Sequence, residues 1–599
     1  MRPLLRLIPY LRKEWKSLCT GCLSIIAGNL LAVAAWDRVM AAVDSFAAPG
    51  TTASEVLRGA VVSLGLFLLA AIFRFLMRYF ISGASRRMEF ELRNDLFAKL
   101  LSLSPSYYDR RSTGDIMSRA TNDLEAVRSV LGPGLLYPIN AVVLLPSVLL
   151  LMFKISPTLT LLSLLPLAVG PILVRSFNKV THRRFKEIQR FTGDMSERVR
   201  EHLTGIRIVK AFCREEIESQ RFLEMNREYR SRQMALAKVQ GVFFPLLRLV
   251  VAAGQVLIVY FGLALMESQG GLTYGGLFAF IGLHAELAWP MIAFGWVTNV
   301  LERGAASMAR LAEIFDAQSP VPSPAFRRTR SPSVPRLQGR IVFADLSFSY
   351  NGRVVLKGLN LQVEPGSTVG IVGPVGCGKT TLLRLIARLY PVERGHLFLD
   401  GCDINDLPVD LLRNSLGVVP QEPFLFSETI RENIYFGLAE DKRDERRLAE
   451  VVRRTELASE IESFPDGLDT LLGERGINLS GGQKQRVCLA RALIRNPPIL
   501  LLDDCLSAVD VQTEKRILNH LRKELTGRTA LLVSHRVSTV AAADRIYVFD
   551  EGRIVEEGTH TELIALGGLY AKLAERQRLL EELEGGSEAN NGGNNGSGR

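Results

Sequence analysis

Six apolar runs in the first half of the chain decide most of what it can fold into. They cover about residues 17–36, 56–81, 130–153, 159–174, 242–266 and 277–300. A bilayer core takes ~20 mostly apolar residues as one helix, because backbone groups find no water there and must satisfy one another. The runs therefore predict six membrane helices. Pro138, Pro146, Pro166, Pro171, Pro245 and Pro290 fall inside them. Such helices tolerate proline where neighbours re-satisfy the freed carbonyls.

The basic residues orient these helices. Arg2, Arg6, Arg12, Lys13 and Lys16 precede the first run, and Arg86 through Arg119 crowd the loop after the second. The stretch 175–238 is equally basic, whereas 40–56 and 267–276 contain no Lys or Arg. By the positive-inside rule both termini and the two long loops face the cytoplasm. This distribution accounts for the net charge of +11 without a nucleic-acid partner. The long loops have helical spacing of apolar residues, so the membrane helices are expected to continue into the cytoplasm. The basic start followed directly by an apolar run suits a retained helix rather than a cleaved leader.

Charges within membrane runs are costly, so each one asks for a role. Arg248, His284 and Glu286 are candidates for lining a path through the membrane, with Glu286 nearest mid-helix. The alternative for Glu286 is pairing with an arginine of another helix, Arg74 or Arg78 among them.

The second half has a different character. Although 47% of all residues are hydrophobic, 23% are charged, and the average conceals a soluble α/β region after a Pro/Ser/Arg-rich stretch. The expected division is a membrane domain over 1–316, a linker over 317–336, a soluble domain over 337–580 and a disordered Gly/Asn/Ser tail over 585–599. Cys377, Cys402, Cys488 and Cys505 all fall in the soluble part, which argues for a reducing compartment. Cys19 and Cys22 read as packing residues, lacking a second pair to hold a metal.

Within the soluble part the strand-like apolar run 369–372 is followed by Gly373, Pro374, Val375, Gly376, Cys377, Gly378, Lys379, Thr380 and Thr381. The first eight fit the phosphate-binding loop G-x-x-x-x-G-K-[ST], between a strand and a helix as the motif requires. Glycines let main-chain N–H groups converge on phosphate, Lys379 can reach the β- and γ-phosphates, and the Thr380 hydroxyl suits Mg²⁺. Cys377, in that positive surrounding, is expected to be a reactive thiolate.

Further segments complete the pattern. Tyr350 ends a strand and can stack on adenine. Asp503 closes the apolar strand 499–503 and suits Mg²⁺ through water, and Gln421 is a second ligand for Mg²⁺ or water. Ser480, Gly481, Gly482 and Gln483 open a helix whose N–H groups can bind an anion. His535 follows the strand 530–533, placed to touch a γ-phosphate.

These residues resemble the ATP-binding cassette exporters of the type IV fold, and the likeness runs nearly the full length except the tail. It implies an α-helical six-span membrane domain fused to a cytoplasmic α/β P-loop domain that hydrolyses ATP with Mg²⁺. In that family's terms Tyr350 is the A-loop, 373–380 Walker A, Gln421 the Q-loop and 473–476 the x-loop. Leu479 through Gln483 is the signature, 500–503 Walker B, 507–510 the D-loop and His535 the switch. Segments 107–123 and 205–212 resemble its coupling-helix regions. The family pairs two chains and sandwiches each ATP between one chain's Walker motifs and the other's signature.

One position departs from the family. Its general base is a glutamate directly after the Walker B aspartate, and here that residue is Asp504. The shorter side chain reaches ~1.5 Å less far, enough to cost about 100-fold in rate. An intact signature beside Asp503-Asp504 resembles the A-type subunit of bacterial heterodimeric multidrug exporters. The resemblance thus implies a partner half-transporter that carries the glutamate, a location in the bacterial inner membrane among its lipids, and a hydrophobic or amphipathic small-molecule cargo. A lipid or lipid-linked glycan flippase, or a homodimeric exporter, is the alternative.

Overall fold

The computed structural model describes residues 2–47, 51–269, 272–321, 337–473 and 476–579. The tail and most of the expected linker lie outside the described residues, as do Glu474 and Arg475 of the x-loop. The chain divides into two compact units. One comprises residues 1–101 and 112–317, and the other residues 102–111 and 318–599.

The first unit is helical. Its long elements are α1 (Trp15–Ala47) and α2 (Ala53–Ser102); the short helix α3 (Pro105–Tyr108), next in the chain, falls in the second unit. After these come α4 (Pro133–Ile155), α5 (Pro157–Thr204), α6 (Glu215–Gln269) and α7 (Tyr274–Asp316). Five helical stretches among the described residues are long and apolar enough to cross a membrane: Trp15–Phe46, Ala53–Ser102, Thr113–Ile155, Pro157–Thr204 and Glu215–Glu267. The run 277–300 lies in α7. Helices α2, α5 and α6 reach 48 to 55 residues, well beyond what a bilayer needs, as the helical spacing of the loops predicts.

Local chemistry sets the turns. Ser156 caps α5 by accepting from the Leu159 N–H, with Pro157 at the first helical position. Thr273 caps α7 by accepting from the Gly276 N–H, and its own hydroxyl donates to Asp44 at the end of α1 over 2.8 Å. A second polar tie holds α7 at its other end. There Asp123, 5% exposed, accepts from Ser307 Oγ at 2.9 Å and from Arg310 Nε at 2.7 Å.

The second unit carries two sheets. The smaller is ordered β2-β1-β4-β5, with β1 (Ile341–Tyr350) and β2 (Arg353–Val363) antiparallel, then β4 (Leu397–Leu399) and β5 (Cys402–Asp403). The larger is ordered β10-β9-β3-β8-β7-β6. Its strands are β3 (Thr368–Val372), β6 (Leu416–Val419), β7 (Ile499–Asp503), β8 (Thr529–Val533), β9 (Arg545–Asp550) and β10 (Arg553–Gly558). All neighbours but β9 and β10 are parallel. Every residue of β7 and β8 is buried, which is why these strands read as unbroken apolar runs rather than alternating ones. Helix α8 (Lys379–Ile386) follows β3, α9 (Gly481–Leu493) precedes β7, and α10 (Val511–Leu525) follows it.

Candidate functional site

Four parallel strands end on one edge of the larger sheet, and four groups of candidate residues follow those ends. β3 runs into the phosphate loop, β8 into His535, β7 into Asp503 and Asp504, and β6 reaches exposed Gln421 two residues on. The crevice beyond the carboxyl ends of parallel strands is where such sheets take ligands. The order β3-β8-β7-β6 therefore brings together residues scattered over more than a hundred positions of sequence.

The loop is built for close approach. Gly378 caps α8 in the left-handed region, φ +103°, and a Cβ there would sit 2.5 Å from Leu356 Cδ2. Lys379 is buried, and its ammonium donates to the carbonyls of Gly373 and Pro374 at 2.8 Å each. Burial lowers its pKa. Such a cation gains most from an anion brought to the loop. The Thr380 hydroxyl donates to Asp503 Oδ1 at 3.2 Å, joining two hard oxygen donors from different elements. No cluster of three or more His, Cys, Asp or Glu able to hold a metal occurs among the described residues. The donor set of one hydroxyl and one carboxylate suits Mg²⁺, which commonly takes its remaining oxygens from phosphate and water. Val375 stands exposed at the loop tip, whereas Thr381 is buried in the first turn of α8.

Cys377 departs from expectation. It is 5% exposed, and burial pushes its thiol above the ordinary range, although Lys379 acts against that from 3.7 Å. Desolvation of the thiolate outweighs the neighbouring cation, so the residue is a thiol, not the reactive thiolate that the loop's positive potential suggested.

Asp504 is 8% exposed and has a left-handed backbone, φ +44°. Its amide donates to the Val533 carbonyl at 2.9 Å, and its Oδ1 accepts from the His535 N–H at 3.5 Å. Partial burial, and then the charge of Lys379, hold the His535 imidazole below its usual pKa.

Ser480 caps α9. Its hydroxyl accepts from the Gln483 N–H, and the Gln483 side chain accepts from the Ser480 N–H at 2.8 Å, a complete capping box. Gly482 is required sterically, because a Cβ there would lie 2.7 Å from the Ala508 carbonyl oxygen. One turn on, Gln485 links this helix to the residues after β7. Its amide donates to Ser507 Oγ at 3.0 Å, and its Oε1 accepts from the Ala508 N–H at 2.9 Å. Sequence reasoning passed over Gln485. Its signal was a polar residue three after Gly482 and four before Leu489, on the helix's buried face.

Tyr350 sits in an aromatic cluster at the end of β1. Its ring meets Phe348 edge-on at 4.9 Å and Tyr390 at 5.0 Å.

The three membrane candidates occupy separate surroundings in the first unit. Glu286 on α7 lies 3.9 Å from Arg74 on α2, which is the helix-pairing alternative. His284 is fully buried. Arg248 lines an apolar cavity of about 480 Å³ with Leu167, Gln255 and Trp289.

Comparison with known proteins adds the family. Residues 18–291 match the ABC transporter transmembrane region and residues 356–507 the ABC transporter domain. The chain is 36% identical over 589 residues to a probable multidrug resistance ABC transporter ATP-binding/permease protein, YheI, of Bacillus subtilis strain 168, covering 97% of this chain and 98% of that one. It is 32% identical to an ATP-dependent lipid A-core flippase of Hahella chejuensis, covering 96% of each. Among solved structures it resembles a bacterial Atm1-family ABC exporter with ATP bound, at a TM-score of 0.76 and 29% identity, covering 95% of this chain and 98% of that one.

Proposed function

The chain belongs to the ABC transporters as a half-transporter of the type IV exporter fold, an ATP-hydrolysing multi-pass membrane protein, and from that premise we propose that it exports amphipathic compounds as one half of a heterodimer. Six spans place both termini in the cytoplasm, and the membrane is a bacterial inner membrane. The observation that carries the heterodimer is Asp504: a short carboxylate, buried and tied to the His535 N–H, at the position where a general base would act. The partner supplies a glutamate there.

In this reading Tyr350 stacks the adenine, and the loop 373–381 cradles the phosphates with its main-chain N–H groups, Pro374 alone having none to donate. Lys379 leaves its carbonyl partners for the β- and γ-phosphates. Thr380, Asp503 and Gln421 hold Mg²⁺, partly through water. When bound, Mg²⁺ neutralises charge on the transferred phosphoryl group. His535 orients the γ-phosphate as a neutral donor. Ser480, Gly481, Gly482 and Gln483 complete the ATP site on the partner chain, where catalysis is almost wholly positioning and electrostatics.

The test is ATP hydrolysis by this chain alone and with whatever half-transporter co-purifies. The heterodimer reading expects substantial turnover only from the pair, and full-rate hydrolysis by this chain alone overturns it. The second reading, a lipid or lipid-linked glycan flippase, draws support from the flippase relative and from Arg248 lining its apolar cavity. Proteoliposomes presented with a fluorescent lipid and with a cationic dye separate the two by which one is moved.

A further inference from the structure

The residues 102–111, which continue from α2, cluster with the nucleotide-binding unit rather than with the helices on either side of them. One side chain of that unit links them to the aromatic cluster at Tyr350. The Tyr390 hydroxyl donates to Asp109 Oδ2 at 2.7 Å, across 281 positions of sequence. The ring of the same residue stands edge-on to Tyr350, 5.0 Å between centroids and 87° between planes, and is otherwise buried. Nearby, Arg110 Nε donates to the Asn351 side chain at 3.1 Å, so the segment also holds the turn that follows Tyr350.

We propose that Tyr390 is a positioning residue for ATP: its bond to Asp109 fixes the ring that fixes the Tyr350 platform, and so ties adenine binding to segment 102–111. The inference rests on adenine stacking at Tyr350. Edge-to-face aromatic pairs have a preferred geometry, so a Tyr390 ring held at its hydroxyl leaves Tyr350 fewer orientations and less order to impose on binding. Burial and the bond to Asp109 keep the phenol protonated well above neutral pH, so it donates throughout the physiological range. By reciprocity, whatever the Asp109 bond adds to adenine binding, bound adenine adds to the order of segment 102–111.

The test uses the full-length protein with any partner chain that co-purifies, in lipid nanodiscs. Tyr390→Phe and Asp109→Ala should each raise KM for ATP about three- to tenfold with kcat within about twofold. The double variant should be no worse than either single one. Asp109→Asn, which keeps an acceptor oxygen, should stay within about twofold of wild type. MgATP should slow amide exchange across 102–111 in wild type but not in Tyr390→Phe. A contact that served stability alone would lower Tm and leave KM and the ATP-dependent protection untouched. That outcome, unchanged KM, or additive single effects overturns the inference while the ATP site stands. A wild-type protein whose ATP binding is insensitive to Tyr350→Ala overturns adenine stacking, and this inference with it.

Discussion

The main-chain N–H of His535 donates to Oδ1 of Asp504 over 3.5 Å, joining the residues that follow two adjacent parallel strands. One carboxylate oxygen is thereby directed at protein backbone, and the side chain is already a methylene short of the glutamate the family uses. The φ of +44° at Asp504 adds a constraint, because aspartate and asparagine tolerate the left-handed region better than longer residues do.

Asp504→Ala should therefore lower ATPase activity of the assembled pair by no more than about threefold. Replacing the partner's glutamate should lower it at least about 100-fold, the scale of a general base. Asp504→Glu alone should not restore a second full site, since the longer side chain has to adopt the strained backbone. Steady-state hydrolysis by each variant decides it. Silencing by Asp504→Ala would make Asp504 a working base.

Gly482 gives a sharper test of the signature than charge does. An aspartate there would face phosphate as an anion, but the Ala508 carbonyl already excludes any Cβ. Gly482→Ala should thus cost about 1–3 kcal/mol of stability through overpacking and reduce turnover about tenfold or more by displacing 507–509. Ser480→Ala, which loses the cap hydroxyl but adds no clash, should cost about 1 kcal/mol of stability. Calorimetry and ATPase assays on both variants check the order, and equal effects would sink the steric account.

Cys377 should label slowly. Because burial raises its thiol pKa, the thiolate is scarcer at pH 7 than in an ordinary cysteine, and reactivity climbs only as pH passes above the usual thiol range. Exposed Cys213 and Cys402 should react first with maleimide at pH 7. Mass spectrometry of a time course reads the order directly, and early labelling at Cys377 would restore the reactive thiolate.

Glu286 and Arg74 should behave as a pair. Glu286→Leu leaves the arginine uncompensated inside an apolar helix, at a cost of about 2–3 kcal/mol. Arg74→Leu combined with Glu286→Leu should recover most of that loss, because it removes both charges from the apolar spans. Thermal unfolding in detergent measures both, and additive losses would separate the two residues and return Glu286 to the membrane path.

Much of this protein is legible along the chain. A bilayer leaves an apolar run no choice but a helix, and a phosphate loop packs its glycines, lysine and hydroxyl into eight consecutive residues. Buried parallel strands announce themselves as Ile499 to Asp503 does. The sequence by itself therefore determined the helical membrane half and the ATP-binding half, and it supplied nearly every residue proposed for the nucleotide site. Only the tertiary structure decided what depends on distant packing. Whether Cys377 ionises is a balance of burial against one lysine. Gly482 meets Ala508, Glu286 meets Arg74 and Tyr390 meets Asp109 because sheets and helices bring together side chains that no local pattern relates. The left-handed backbone of Asp504 likewise follows from the turn between β7 and its helix. A propensity read from neighbours does not contain those contacts, since their energies arise only once the chain has closed on itself.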